Sequence, residues 1–345
     1  MAGGSGCRAR AIDLNGPGRV ASKGHAGYLS TRREKLPNWP GHLIYTTGDP
    51  LKSLPLRAVV TMTVSAREEG AVRNENPMVG AVLSVWLSAW MAWLPATHAA
   101  DATEVEILFV GDQGRSAWEG ASQGLIEANL QGKFLGKTFK LTQLPGAGEI
   151  LKESNPAAVV VAGDATTLRQ VAEALPGVPV FNVSLDDDEV RQQCGGNVLH
   201  VLPSQAMKRD ALSQWKTKNP ESDARALAWH SSAKKYSGVQ LNDRYTQSFG
   251  KPMDDEAWAG WAAVKMLSDT VVRTQSSDPA TLLDFLRNDL QFDGQKGADM
   301  SYRKNGQLRQ PILIVEGDKV VGEAPVVGVA QGIEDLDSLG NVECE

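Results

Sequence analysis

The sequence predicts an α/β fold, a three-layer sandwich built on a doubly wound parallel sheet. Three apolar runs, at 105–112, 157–164 and 178–184, have the composition of strands that are covered on both faces. Segments with helical spacing of small and apolar residues lie between them. Alternating strands and helices are typical of a parallel sheet with helices on both faces.

The predicted elements of the first half follow one another in a β-α-β-β-α-β order. In chain order they are a strand at 105–112 (VEILFVGD), a helix at 116–130, strands at 137–144 and 157–164 (AAVVVAGD), a helix at 166–175 and a strand at 178–184 (VPVFNVS). Such an order is expected for one complete doubly wound sheet.

The second half is predicted to be mainly helical and to end in a β-hairpin. A long helix covers 204–218, Asp254 caps a second helix, and Asp278 followed by Pro279 starts a third. Two turn signals predict the hairpin within 298–326. They are Asn305-Gly306 and Glu316-Gly317-Asp318.

Charge separates an N-terminal stretch from an acidic body. Residues 1–77 have a balance of +5, residues 78–100 carry no acidic or basic side chain apart from His98, and residues 101–345 have a balance of −11. The first stretch is rich in Gly, Pro and Arg, which predicts disorder; alternatively, translation starts at Met62 or Met78. The acidic body argues against nucleic acid or anionic lipid as a partner.

Residues 78–99 are interpreted as a secretory signal peptide. Their apolar segment, Val79–Leu94, is shorter than the ~20 residues of a membrane span. Thr97 and Ala99 fit the small-residue rule for cleavage before Ala100. The alternative is that the segment is retained as an N-terminal anchor.

Polar residues follow three of the predicted strands, and a doubly wound sheet binds its ligands beyond the carboxyl ends of its strands. Backbone N–H groups and hydroxyls at the start of the helix after 157–164 offer a site for a carboxylate. The alternative is that Asp164 or Thr166 only caps this helix. The candidate ligand-binding residues are Asp112, Gln113, Gly163, Asp164, Ala165, Thr166, Ser184 and Asp186.

No catalytic residue, cofactor or metal site is predicted, and the chain is not expected to be an enzyme. The body contains no P-loop, HExxH or GxGxxG motif. His200 and His230 lack a metal-ligand pattern and are expected to be structural. The acidic run 186–189 is interpreted as a solvated loop, with a hard cation as the alternative. Cys194 and Cys344 form either a disulfide or two unrelated thiols.

The body resembles the periplasmic substrate-binding proteins of ABC transporters, in the type I fold related to branched-chain amino-acid binders. More narrowly, it is similar to a subgroup encoded beside PQQ-dependent alcohol dehydrogenases. The blocks that carry the resemblance are EGASQGLIEANLQGKFLGKTFKL, CGGNVLHVLPSQAMKRDALSQW, LNDRYTQSFGKPMDDEAWAGWAAVKML, GQLRQPILI and DLDSLGNVEC. The resemblance favours a disulfide between Cys194 and Cys344.

The chain departs from this family after the helix at 204–218. The strand-helix-strand units that would build a second lobe are not recognisable, so the resemblance implies one full lobe and a reduced second lobe made of a helix pair and part of a hairpin. The expected domains are an extension at 1–77, the signal peptide at 78–99, and a binding domain at 100–345 with its first lobe at 105–203 and the crossover helices, reduced lobe and hairpin at 204–345.

The resemblance implies a periplasmic solute-binding protein that serves an ABC transporter permease. Its solute would be a small organic molecule linked to alcohol oxidation. The alternative function is that of an accessory protein of a periplasmic PQQ-dependent alcohol dehydrogenase system, with no solute of its own.

Overall fold

The computed structural model describes residues 103–149, 155–192 and 194–340. At its centre is a sheet of five parallel strands: β1 (Thr103–Gly111), β2 (Lys137–Leu144), β3 (Ala158–Ala162), β4 (Val180–Asn182) and β5 (Val198–His200). Their spatial order is β2-β1-β3-β4-β5. The chain therefore winds outward to both sides of β1, which confirms the predicted doubly wound parallel sheet.

Helices cover both faces of this sheet and complete the three layers. The helices are α1 (Ser116–Gly132), α2 (Ala165–Ala174), α3 (Gln205–Lys218), α4 (Gly238–Phe249), α5 (Asp255–Thr274) and α6 (Pro279–Asn288). Successive residues of β1 point to opposite faces. Ile107 and Phe109 share a core with α1 and α5, whereas Leu108 and Val110 pack against α2.

Helices α1 and α5 pack closely enough that their backbones touch. A Cβ added to Gly120 would lie 1.8 Å from the carbonyl oxygen of Ala257, and one added to Gly260 would lie 2.1 Å from that of Ala117. Small residues at this crossing bring α5 against the first-lobe sheet. The helix pair α5 and α6, expected in the second lobe, shares a core with β1 and α1 and so also packs against the first-lobe sheet.

A second, smaller sheet in the described residues is antiparallel. The remaining strands are β6 (Arg225–Leu227), β7 (Ser301–Tyr302), β8 (Leu308–Arg309), β9 (Ile312–Glu316) and β10 (Lys319–Ala324). Strands β10, β9 and β6 pair in that order. Met207 and Ala211 of α3 pack on one face of the sheet, against Ile312 and Ile314.

Both predicted turns are confirmed, although they belong to two separate hairpins. Residues 303–307 join β7 to β8, and Glu316-Gly317-Asp318 joins β9 to β10. Gly306 has a φ of +77° and lies so close to β5 that an added Cβ would be 2.1 Å from the carbonyl oxygen of Val198. The amide of His200 donates to the Gly306 carbonyl at 2.7 Å, which fastens this hairpin to the sheet edge.

Several predictions fall outside the described residues. The extension at 1–77, the signal peptide at 78–99 and Cys344 are among them, while Cys194 is described and is disulfide-bonded. Within the described ranges, no helix has the length and apolar character required to cross a membrane.

Candidate functional site

The structure brings the three predicted strand ends together at one edge of the central sheet. Gly111 of β1 is in register with Ala162 of β3, and Val161 is in register with Asn182 of β4. The loops that carry the candidate residues therefore leave the sheet side by side. The winding direction reverses between β1 and β3, and such a switch point is where open α/β sheets bind ligands.

The side chains at this edge are largely exposed, and three of them support the local backbone. The carboxylate of Asp112 accepts from the amide of Gly114 at 2.8 Å. Asp164 accepts from the amide of Thr167 at 2.8 Å and caps α2, and these hydrogen bonds lower its pKa. The hydroxyl of Ser184 donates to the carbonyl of Gly163 at 3.0 Å. The capping alternative for Asp164 is thus present in the structure.

Of the remaining predicted residues, two are exposed at this edge and two make contacts elsewhere. Gln113 and Thr166 are exposed at the edge. Ala165 lines a separate cavity of about 240 Å³ between α2 and β5. Asp186 lies 2.9 Å from the ammonium of Lys208; partial burial raises its pKa, but the hydrogen bond and the charge of Lys208 outweigh this effect and keep the pKa low. Asp186 therefore joins the β4 loop to α3.

The acidic run 186–189 is used in ion pairing and capping. Asp188 lies 2.8 Å from Arg209 and accepts from the amide of Ala206 at 2.8 Å. Among the residues that the structure describes, no group of three or more His, Cys, Asp or Glu side chains is placed to hold a metal ion.

A cleft of about 840 Å³ opens between the amino-terminal ends of α1 and α5. The two helices run in the same direction, so the positive ends of both helix dipoles face it. Arg115, just before α1, bridges to Glu256 with N–O distances of 2.5 and 3.1 Å and joins the cleft to the loop after β1. The residues that line the cleft are Ser116, Arg225, Leu227, Trp229, His230, Ser231, Lys251, Pro252, Met253, Asp254, Asp255, Glu256 and Asp318.

The acidic triplet 254–256 has three different partners in this cleft, beyond its predicted role at the helix start. Asp254 caps α5 by accepting from the amide of Ala257 at 2.9 Å. Asp255 accepts from the amide of Trp229 at 2.8 Å, and burial of its carboxyl group raises its pKa despite that bond. Glu256 pairs with Arg115. A carboxyl group with a raised pKa in a cleft is typical of functional sites.

One structural feature of this region, a buried arginine, has no clear signal in the sequence. Arg191 is buried, and its guanidinium donates to Gln307 at 2.6 Å and to the carbonyls of Asp187, Leu185 and Leu202 at 2.7–3.1 Å. Burial lowers its pKa to about 10, so it remains charged at neutral pH. Arg191 thus fastens the loops after β4 and β5 to the hairpin β7–β8.

One motif in the body matches a catalytic pattern but has a structural role. Gly120-Ala121-Ser122-Gln123-Gly124 matches the GxSxG pattern of serine hydrolases, in which the serine sits on a strand-to-helix turn. Here it lies in the middle of α1, and the Ser122 hydroxyl donates to the carbonyl of Trp118 at 2.8 Å. The glycines of the motif serve the contact with α5.

Comparisons with known proteins match the fold and not the sequence. No family model and no curated protein matches the chain. A branched-chain amino acid ABC transporter periplasmic ligand-binding protein from Burkholderia xenovorans superposes with a TM-score of 0.54 at 10% identity, covering 64% of this chain and 95% of that one. The chain has the type I periplasmic-binding fold.

Two further solved structures carry ligands. An ABC transporter substrate-binding protein from Desulfitobacterium hafniense in complex with Leu has a TM-score of 0.52 at 12% identity, over 63% of this chain and 99% of that one. A solute-binding protein of an ABC transporter from Rhodopseudomonas palustris, in complex with 3,4-dihydroxybenzoic acid, has a TM-score of 0.51 at 10% identity, over 64% and 94%. At such identities the likeness establishes the fold alone.

Proposed function

We propose that this chain is a periplasmic solute-binding protein of an ABC transporter, and that its solute binds in the cleft between the starts of α1 and α5. The observation that carries the proposal is the position of the cleft. It lies beside the switch point of a sheet with the order β2-β1-β3-β4-β5, in the fold that solved solute-binding proteins share.

The chemistry of the cleft fits a small polar molecule. Helix amino termini and the side chains of Arg225 and Lys251 provide donors for an anionic group. The carboxyl groups of Asp255 and Asp318 provide acceptors, and Leu227 and Met253 add apolar surface. A volume of about 840 Å³ falls within the 300–1,000 Å³ usual for ligand pockets.

The finer parts of the proposal come from the resemblance. They comprise export through the signal peptide at 78–99, delivery to an ABC permease, a solute linked to alcohol oxidation, a reduced second lobe, and a disulfide between Cys194 and Cys344. Peptide mass spectrometry of the unreduced protein tests the last of these, since a linked peptide pair containing both cysteines is expected.

A thermal-shift screen tests solute binding. The panel contains leucine, 3,4-dihydroxybenzoate, other amino acids and small carboxylates, and short alcohols and aldehydes. A solute at 100 times its Kd stabilises a protein by about 2.7 kcal/mol. We expect a selective shift that is lost in Asp255→Asn and weakened in Asp112→Ala. Asp243→Asn, on the exposed surface of α4, is the matched control and should keep the full shift.

The second candidate function is an accessory protein of a periplasmic alcohol dehydrogenase system. The small second lobe favours it, because a three-stranded antiparallel sheet covers less of a bound solute than a lobe the size of the first. A cooperative melt with no shift across the whole panel would support this function and contradict solute binding.

A further inference from the structure

Helix α1 exposes an apolar stripe at the end farthest from the cleft. Ile126 and Leu130 lie one turn apart and are 49% and 58% exposed, and Phe134, one turn further, is 89% exposed. Leu135 beside it is 43% exposed. The amides of Phe134 and Leu135 donate to the last turn of α1, so this exposure belongs to an ordered turn. Contiguous exposed apolar surface of this kind marks an interaction site.

The segment in which the stripe ends is basic, unlike the body as a whole, whose acidic balance argues against anionic lipid. From Ala128 to Gly148 the sequence has no acidic residue and three lysines, Lys133, Lys137 and Lys140. Lys140 lies 3.7 Å from Glu104 and 3.8 Å from Glu106 on β1. Lys133 and Lys137 flank the exposed pair Phe134-Leu135 and make no ion pair with the described residues, which leaves their positive charge available at the stripe.

The chain enters the fold at this same place. The amide of Thr103, the first residue of β1, donates to the carbonyl of Gly136 at 3.0 Å. The segment Val79–Leu94 is the longest uncharged apolar run in the sequence.

We propose that this stripe docks on a lipid bilayer that carries anionic headgroups. Leu130 and Phe134 would insert at the boundary between headgroups and acyl chains, and Lys133 and Lys137 would pair with the headgroups. A second copy of the chain fits this surface less well, because a two-fold contact would bring the lysines of both copies together. The stripe and the cleft lie at opposite ends of the central sheet, so the docked protein keeps its cleft in solution. The inference is independent of the proposed solute.

Vesicle flotation of the full chain tests the proposal. The vesicles are phosphatidylcholine alone or phosphatidylcholine with one third phosphatidylglycerol. Phe134→Ser is expected to weaken binding to the anionic vesicles about tenfold, and Lys133→Gln with Lys137→Gln to weaken it and reduce its salt dependence. Val327→Ser is the matched control, because Val327 is 65% exposed after β10, away from the stripe. It should bind like the parent.

Lysine acylation followed by mass spectrometry distinguishes membrane binding through the stripe from membrane binding through the apolar segment Val79–Leu94. Anionic vesicles should protect Lys133 and Lys137 from acylation and leave Lys234, which is exposed near the second lobe, as reactive as before. Equal flotation of Phe134→Ser and the parent, or unprotected Lys133 and Lys137 on bound vesicles, would overturn the proposal. So would a stripe variant that changes only the oligomeric state.

Discussion

Replacing Gly120 with Ala tests the α1–α5 contact on which the cleft depends. In an isolated helix this change stabilises by about 1 kcal/mol. In this fold the new Cβ would lie 1.8 Å from the carbonyl oxygen of Ala257, against a backbone that cannot rotate away. Overpacking of this kind typically costs about 1–3 kcal/mol. Because the helices must also separate, we expect a net loss of about 2 kcal/mol, with the sign opposite to helix propensity.

Urea denaturation followed by circular dichroism measures this loss, and the melting temperature should fall by about 4–8 °C. Gly196→Ala is the matched control, because no atom lies within 4 Å of its added Cβ and it should leave stability nearly unchanged. A Gly120→Ala variant as stable as the parent, or more stable, would refute the close crossing of α1 and α5 and with it the geometry of the cleft.

Three further substitutions test the cap of α6, the buried Arg191 and the cleft residue Asp255. Asp278→Ala removes the cap of α6 and should cost about 1 kcal/mol in urea denaturation, and no loss would contradict the cap. Arg191→Met leaves the oxygen of Gln307 and several buried carbonyls without their donor, and should cost about 3 kcal/mol in the same assay. Asp255→Asn keeps the acceptor for the amide of Trp229 but removes the charge. The folded pKa of Asp255 is raised, so its stabilising contribution is present below the unfolded pKa and lost as pH rises through the folded value. The variant should therefore match the parent in acid and equal or exceed its stability at pH 7, and lower stability at pH 7 would contradict the raised pKa.

The first lobe could be predicted from the sequence because its strands are apolar on both faces. Runs such as 157–164 have few alternatives to a central parallel strand, and the structure has β3 there. The caps at Asp254 and Asp278 were predicted from local chemistry alone, and both side chains accept the expected amide bond. Local sequence patterns were therefore sufficient to predict the elements that nearby residues determine.

The elements that were missed are short or lack a local signal. Strands β5 and β6 have three residues each, too few to show a period of two. Helix α4 begins after Ser237, which has a φ of +68° and no side-chain cap, so no start signal precedes it. The packing of α5 against the central sheet depends on its fit to α1, which involves residues more than a hundred positions apart along the chain.

The candidate site also has a part that could be predicted from the sequence and a part that could not. The meeting of the strand ends was predictable, because β1, β3 and β4 are parallel and end in register at one edge. A role of the residues there in ligand binding stays a prediction. Asp255 and Arg115 were not predicted as site residues. Their positions follow from the crossing of α1 and α5, which places two helix starts on one cleft.

Amide hydrogen exchange, with and without the solute that gives the largest thermal shift, tests the central claim most directly. Solute in the cleft should slow exchange at 112–116 and 251–257 and leave the surface around α2 and β5 unchanged. Protection confined to 165–173 and 196–198, which line the smaller cavity, would contradict the account. So would a solute that stabilises the fold without protecting either end of the cleft.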